Sequence, residues 1–237
     1  MRQAALRLEG KPPSRSAHPG TVGRVEWLRK GLHISAGFLA LLLRWLPPWG
    51  AWLLAAAALA GNAALLPRLT GHALEREDDR LSGVAWGILF YPLMVLFLTV
   101  VFFRRMEIAA AAWGVMAAGD GFATLLGKRF PSPRCPWNRR KSLAGSLAFL
   151  LAGGPAAWGL YLFVAAGAGR HPDPVAVLVQ VGVATLLAAI LESLPTGIDD
   201  NLTVPLAAAF LLLGLTAVDP AILAAREGKS EIGLAEF

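Results

Sequence analysis

Long apolar runs alternate with short polar stretches along most of this chain. Seven runs stand out: Leu32–Leu46, Trp49–Leu66, Gly83–Phe103, Ile108–Leu126, Leu143–Ala168, Pro174–Leu194 and Leu202–Val218. A helix rises about 1.5 Å per residue, so about 20 apolar residues are needed to cross the ~30 Å core of a bilayer. The runs do not alternate residue by residue as the strands of a closed barrel would, so each predicts a helix. Pro47-Pro48 makes the first two an antiparallel hairpin, because proline fits poorly inside a helix. The expected architecture is an all-α, polytopic transmembrane bundle of about seven spans. Residues 1–25 lack apolar periodicity and are rich in Arg, Pro, Ser and Gly, which predicts a disordered basic tail. Residues 26–218 form the transmembrane domain in this reading, and 219–237 a C-terminal tail. No apolar h-region precedes Leu32, so no cleaved signal peptide is expected.

Composition agrees with the pattern. Apolar residues make up 56% of the 237 and charged residues 16%, against about 45–50% and 25% in soluble domains. The mean hydropathy is +0.55. The net charge of +6 does not indicate a nucleic-acid binder, because the basic residues cluster between apolar runs. They also orient the bundle. With the N-terminus in the cytoplasm, 16 of the 22 Lys/Arg fall on the inner side, six of them in Gly127–Ser142. The single cysteine, Cys135, excludes an intramolecular disulfide framework and reads as an incidental loop thiol.

Polar residues in or beside the spans carry the candidate chemistry, since each is costly in lipid. Under this topology Lys30, His33, Asn62, Asp120, Lys128, Arg129, Lys141, Glu192, Asp199, Asp200 and Asn201 all fall towards the inner side. Lys30, His33 and Gly37, spaced by three and four, share a helix face. Taken alone they read as a basic anchor with a snorkelling lysine. Asp120, Thr124, Gly127 and Lys128 would share another face. An aspartate flanked by Gly119 and Gly121 suits a metal or a nucleotide, with tight helix packing as the competing reading. Lys141 and Ser142 open the fifth run, where helix N–H groups favour an anion; a topology signal explains the cations equally well. Asp199 and Asp200, adjacent and without a basic neighbour in their loop, suit a hard divalent cation or a helix cap. These carboxylates are expected at a wet interface.

Arg29-Lys30-x-x-His33, Tyr91-Pro92, Gly119-Asp120-Gly121-x-Ala123, Asn138-x-x-Lys141-Ser142-x-x-Gly145-Ser146 and Glu192-Ser193-Leu194-Pro195 followed by Asp199-Asp200-Asn201-Leu202-Thr203-Val204-Pro205 occur in this order. Together they resemble the phytol kinase and dolichol kinase family, from about Glu26 to Leu215. The resemblance implies a multi-pass membrane phosphotransferase that moves the γ-phosphate of CTP, or another nucleotide, to a lipid alcohol, with phytol kinase as the closest named activity. It implies Mg²⁺ held by Asp120, Asp199 and Asp200. Lys141, Lys128 and Arg129 would meet the nucleotide phosphates. Asn138, Ser142 and Ser146 would supply hydrogen bonds, with Lys30, Gly145 and Asn201 also at the nucleotide site. His33 or one of the aspartates would accept the alcohol proton. The expected partners are the bilayer, the lipid alcohol and the nucleotide, with no nucleic acid, and the expected setting is the cell membrane with the active site on the cytoplasmic side. Two alternatives stand: a phosphatidate cytidylyltransferase-like enzyme, whose C-terminal signature is missing here, and a non-catalytic transporter or scaffold.

Overall fold

The computed structural model describes residues 23–70 and 86–217. The expected N-terminal tail, apart from residues 23–25, lies outside the described residues, as do the C-terminal tail and residues 83–85 of the third run. Helix α1 (Arg24–Gly37) tightens into 3₁₀ geometry over Phe38–Arg44 and stops before the two prolines. α2 (Pro48–Ala64) starts on Pro48, at the first-turn position where a missing N–H is harmless. A short α3 (Leu66–Thr70) follows. Beyond the undescribed segment come α4 (Trp86–Val101), α5 (Met106–Arg129), α6 (Leu143–Gly167), α7 (Pro174–Ser193) and α8 (Asp200–Ala217).

Among the described residues, four helices, α5 to α8, are long and apolar enough to cross a membrane, and α4 is a shorter apolar helix. The first run falls on the end of α1 and the 3₁₀ stretch that follows it, the second on α2 and the start of α3, with the break at Pro47-Pro48 where the sequence puts it.

α5 is the centre of the bundle. It is 83% buried over its apolar window, whereas α6, α7 and α8 are 33–39% buried over theirs. It packs against α1, α4, α6 and α8. Its small side chains allow this, since neighbouring backbones can come close to Ala and Gly. A Cβ at Gly37 of α1 would strike the Cβ of Ala117, and one at Gly114 would lie 2.8 Å from Leu160 Cδ1 on α6. The outer faces of α6 and α7 instead expose Leu147, Leu151, Leu178, Val179 and Leu186. An apolar surface of that extent suits lipid.

The basic stretch before α6 is not a plain loop. Arg134–Cys135 (β1) and Asn138–Ser142 (β2) pair antiparallel, with Arg134 opposite Ser142 and Cys135 opposite Asn138. Trp137 Nε1 donates to Ser193 Oγ at 3.1 Å and ties this hairpin to the end of α7. Cys135, expected as an incidental loop thiol, is buried at 1% exposure.

Candidate active site

Asp120 closes a wide, π-helical turn of α5 that spans Val115–Asp120. Such turns interrupt the regular ladder and recur where a side chain must be aimed at a site. Lys30 Nζ donates to Asp120 Oδ2 at 2.6 Å. His33 Nε2 lies 3.0 Å from the Met116 carbonyl oxygen and 3.5 Å from Asp120 Oδ2. Both neighbours are acceptors, so that nitrogen carries a proton and donates. His33 therefore cannot take up an alcohol proton at this atom. Two expectations change here. Lys30 is 4% exposed and paired with a carboxylate, not snorkelling to a headgroup; and Asp120, at 5%, is inside the protein and not at a wet interface.

β2 delivers Lys141 to the same place. Its ammonium donates to Glu192, at the end of α7, and to Asp200 Oδ2 at 2.7 Å, at the start of α8. Burial by itself would lower its pKa, but Glu192 and then Asp200 outweigh that and hold Lys141 above the ordinary lysine range. Carboxylate oxygens of Asp120, Glu192 and Asp200 lie within 4.8 Å of one another. Asp199 is not one of the three. Its side chain accepts from the Asn201 N–H at 2.9 Å, and its carbonyl accepts from Leu202 and Thr203, so it caps α8. The carboxylates that cluster are thus Asp120, Glu192 and Asp200, whereas Asp199, expected beside Asp200, is turned to cap α8.

These groups border three cavities. A wide one of about 880 Å³ is lined by Asp120, Asn138, Arg140, Lys141, Asp199 and Asp200. A small one of about 140 Å³ is lined by Thr124, Gly127, Lys128, Ser142, Ser146 and Glu192, among others. The common face expected for Asp120, Thr124, Gly127 and Lys128 is therefore divided between two cavities, because the wide turn separates Asp120 from the regular helix after it. The third, of about 230 Å³, is lined by Arg29, Lys30, His33, Asn62, Tyr91 and Asn201 along with apolar residues.

Ser142 caps α6, accepting from Gly145 N at 3.2 Å and donating to the Gly127 carbonyl at 3.2 Å. A Cβ on Gly145 would lie 3.0 Å from the Ala123 carbonyl oxygen, so this glycine serves the contact between α5 and α6. Asn138 lines the wide cavity and accepts from the Arg140 N–H. Lys128 reaches out to Glu26. Arg129 is exposed over the Phe130 ring and lines none of the three cavities.

No family model and no solved structure matches the chain. Curated sequences do. It is 34% identical over 152 residues to probable phytol kinase 1 of Glycine max, covering 63% of this chain and 48% of that protein. To phytol kinase 1 of Arabidopsis thaliana it is 32% identical over 162 residues, 66% of this chain and 51% of the other. Farnesol kinase of the same plant is 30% identical over 203 residues, with 77% and 63% covered. These likenesses support assignment to the phytol and prenol kinase family. The chain spans about half the length of the phytol kinases it matches. All three relatives are described as chloroplastic.

Glu192 and Tyr91 are conspicuous in the structure and absent from the site expected on sequence. Glu192 stands in the sequence as an ionisable residue at the inner end of an apolar run and opens the Glu192-Ser193-Leu194-Pro195 motif, but nothing local marks it as a partner of Asp120 and Asp200. Tyr91 is placed by α4 so that its hydroxyl donates to the His33 carbonyl at 3.1 Å and accepts from Trp113 Nε1 at 2.8 Å. A second polar cluster lies at the other end of α5. Glu107, 1% exposed, accepts from Arg105 at 2.6 Å and Arg170 at 2.5 Å, and Arg105 also reaches Tyr161 and Thr216 at 3.3 Å. It joins the ends of α6 and α8 to the start of α5.

Proposed function

We propose that this protein is an integral membrane kinase that transfers the terminal phosphoryl group of a nucleoside triphosphate to a prenyl alcohol, phytol or a close analogue. The observation that carries this is the meeting of Asp120, Glu192 and Asp200, from three separate helices, with Lys30 and Lys141 beside a cavity of about 880 Å³. The names of the similar proteins support the prenyl alcohol. CTP as donor rests on the resemblance of the ordered motifs.

A phosphoryl transfer asks mainly for positioning and charge neutralisation. Three clustered carboxylates fit a hard divalent ion, for which oxygen ligands are preferred, so Asp120, Glu192 and Asp200 would hold Mg²⁺. When bound, the ion offsets charge on the phosphates. Lys141 holds two carboxylates and can exchange one of them for a phosphate oxygen, with Arg140 beside it in both nucleotide-side cavities. Asp120 is our assignment for proton acceptor from the alcohol, since His33 Nε2 donates. The cations of Gly127–Ser142 support a site on the cytoplasmic side of the cell membrane.

The test is an assay of purified protein with labelled CTP, UTP and ATP against phytol, farnesol, geranylgeraniol, dolichol and diacylglycerol, with and without Mg²⁺. A Mg²⁺-dependent prenyl monophosphate is expected. A nucleotidyl-lipid product would make the enzyme a cytidylyltransferase, and no transfer from any donor would remove the kinase reading.

A further inference from the structure

We propose that the cavity of about 230 Å³ bordered by α1, α2, α4 and α8 seats the hydroxyl end of the acceptor alcohol, and that Asn201 Oδ1 receives its hydrogen bond. This rests on the kinase reading and gives one of its two substrates a place. Asn201 is 3% exposed. Its Nδ2 points to the Gly87 carbonyl at 3.5 Å, which sets the orientation of the amide, because a carbonyl oxygen turned there would face another acceptor. The buried Oδ1 has no partner among the described residues. A buried acceptor left unpaired is costly, so a cavity lined by the residue that carries one favours a ligand that brings a donor.

Among the other polar groups around this cavity, Arg29 lies 4.0 Å from Glu26, Asn62 Nδ2 donates to the Ile88 carbonyl at 3.1 Å, and three more are committed. Lys30 is held by Asp120, His33 Nε2 by the Met116 carbonyl, and the Tyr91 hydroxyl by its two hydrogen bonds. Triphosphate oxygens accept and do not donate, so they gain nothing from Asn201 Oδ1; an alcohol O–H does. Leu32, Ala36, Leu66 and Ile88 supply apolar walls, and Leu32 is itself 49% exposed on the outside of α1, where the rest of a prenyl chain can pass into lipid.

The position also suits the reaction. Trp86 and Asp200 line the wide cavity, while the next residues, Gly87 and Asn201, line this one. The Lys30–Asp120 pair stands between them. The alcohol oxygen forms a bond to the terminal phosphorus, the bond from that phosphorus to the bridging oxygen of the nucleoside diphosphate breaks, and the hydroxyl turns its one hydrogen from Asn201 Oδ1 towards Asp120, which takes the proton. A larger apolar groove of about 440 Å³, lined by residues such as Phe38, Leu41, Phe122 and Pro155, offers no polar side chain to orient a hydroxyl.

Two measurements on the full chain test this. Asn201→Leu, similar in size but without the acceptor, should raise KM for the alcohol about five- to tenfold, as expected for one lost hydrogen bond, with KM for the nucleotide unchanged. A farnesol analogue with a photoreactive diazirine near its hydroxyl should label α1, α4 or α8 residues of this cavity in the wild-type protein, and phytol should compete. Labelling confined to the Phe38–Phe122 groove overturns the proposal, as does a variant that changes KM for the nucleotide alone. If Asn201→Leu does not fold, the labelling decides. Labelling of this cavity by a protein that transfers phosphate from no nucleotide would retain the alcohol site and remove the kinase reading.

Discussion

Asp120 and Lys30 are ninety residues apart in the chain and 2.6 Å apart in space, each nearly shut off from solvent. Removing one member of such a pair leaves a buried charge without compensation, which typically costs about 3–5 kcal/mol. Asp120→Asn and Lys30→Met should each lower thermal stability in detergent by that order, whereas the double variant should recover most of the loss. Activity should be absent wherever Asp120 is replaced, including the restored double variant. Recovery of activity there would make the pair structural and nothing more. Lys141 behaves differently because it is partly exposed and holds two acids. Lys141→Ala should destabilise the fold by about 1–3 kcal/mol through unpaired acceptors, and millimolar Mg²⁺ should restore more stability to the variant than to wild type. The raised pKa of Lys141 has a definite sign: its stabilising contribution is complete below the ordinary lysine pKa and is lost only as pH rises through the higher folded value. A basic limb of the rate profile between pH 8 and about 10 should therefore survive in Lys141→Arg unchanged, since it would belong to another group.

At the scale of elements, the site depends on how closely α1 lies against α5. Gly37 sets that distance, because a Cβ there would collide with Ala117 Cβ, an atom fixed to backbone and unable to swing away. Gly37→Ala should cost about 1–3 kcal/mol as an overpacking change and should raise the nucleotide or alcohol KM by moving Lys30 and His33 away from Asp120. Gly31, on the same helix, has nothing within 4 Å of an added Cβ. Gly31→Ala should stabilise by about 0.4–1 kcal/mol through the unfolded chain. Melting temperatures of the two variants, measured side by side, separate close packing from general helix propensity; equal shifts would show that the contact at Ala117 is not limiting. The wide turn at Val115–Asp120 and the hairpin before α6 belong to this scale too. Neither is visible in hydrophobic periodicity, because both are short departures from regular structure that answer to neighbouring elements.

For the whole molecule, the arrangement has two polar ends: Asp120, Lys141, Glu192 and Asp200 at one, and the Arg105–Glu107–Arg170 cluster at the other. Their assignment to sides of a membrane is directly measurable. Cys135 is a poor probe because it is buried, so a reporter belongs at exposed Arg139 in a Cys135→Ser background. Arg139→Cys should resist a membrane-impermeant thiol reagent in intact bacterial cells with a permeabilised outer membrane, and react once the inner membrane is opened. Reaction before opening would reverse the orientation.

The amino-acid pattern alone determined that the chain is helical and apolar enough for a bilayer, and that its chemistry-bearing residues gather towards one side. Those properties follow from hydrophobic run length and from the charges between runs, which are local. Resemblance of the ordered motifs supplied the family, and with it Asp120, Lys141 and Asp200. Only the tertiary structure decided that Glu192 and not Asp199 clusters with Asp120 and Asp200, that Lys30 is an ion-pair partner and not an anchor, and that Asn201 borders a cavity apart from the wide one beside Lys141. Each of these turns on the direction of a side chain across a helix–helix contact. That direction is set by packing between segments dozens of residues apart, such as Gly37 on Ala117 and Lys30 on Asp120, and no spacing within one segment encodes it.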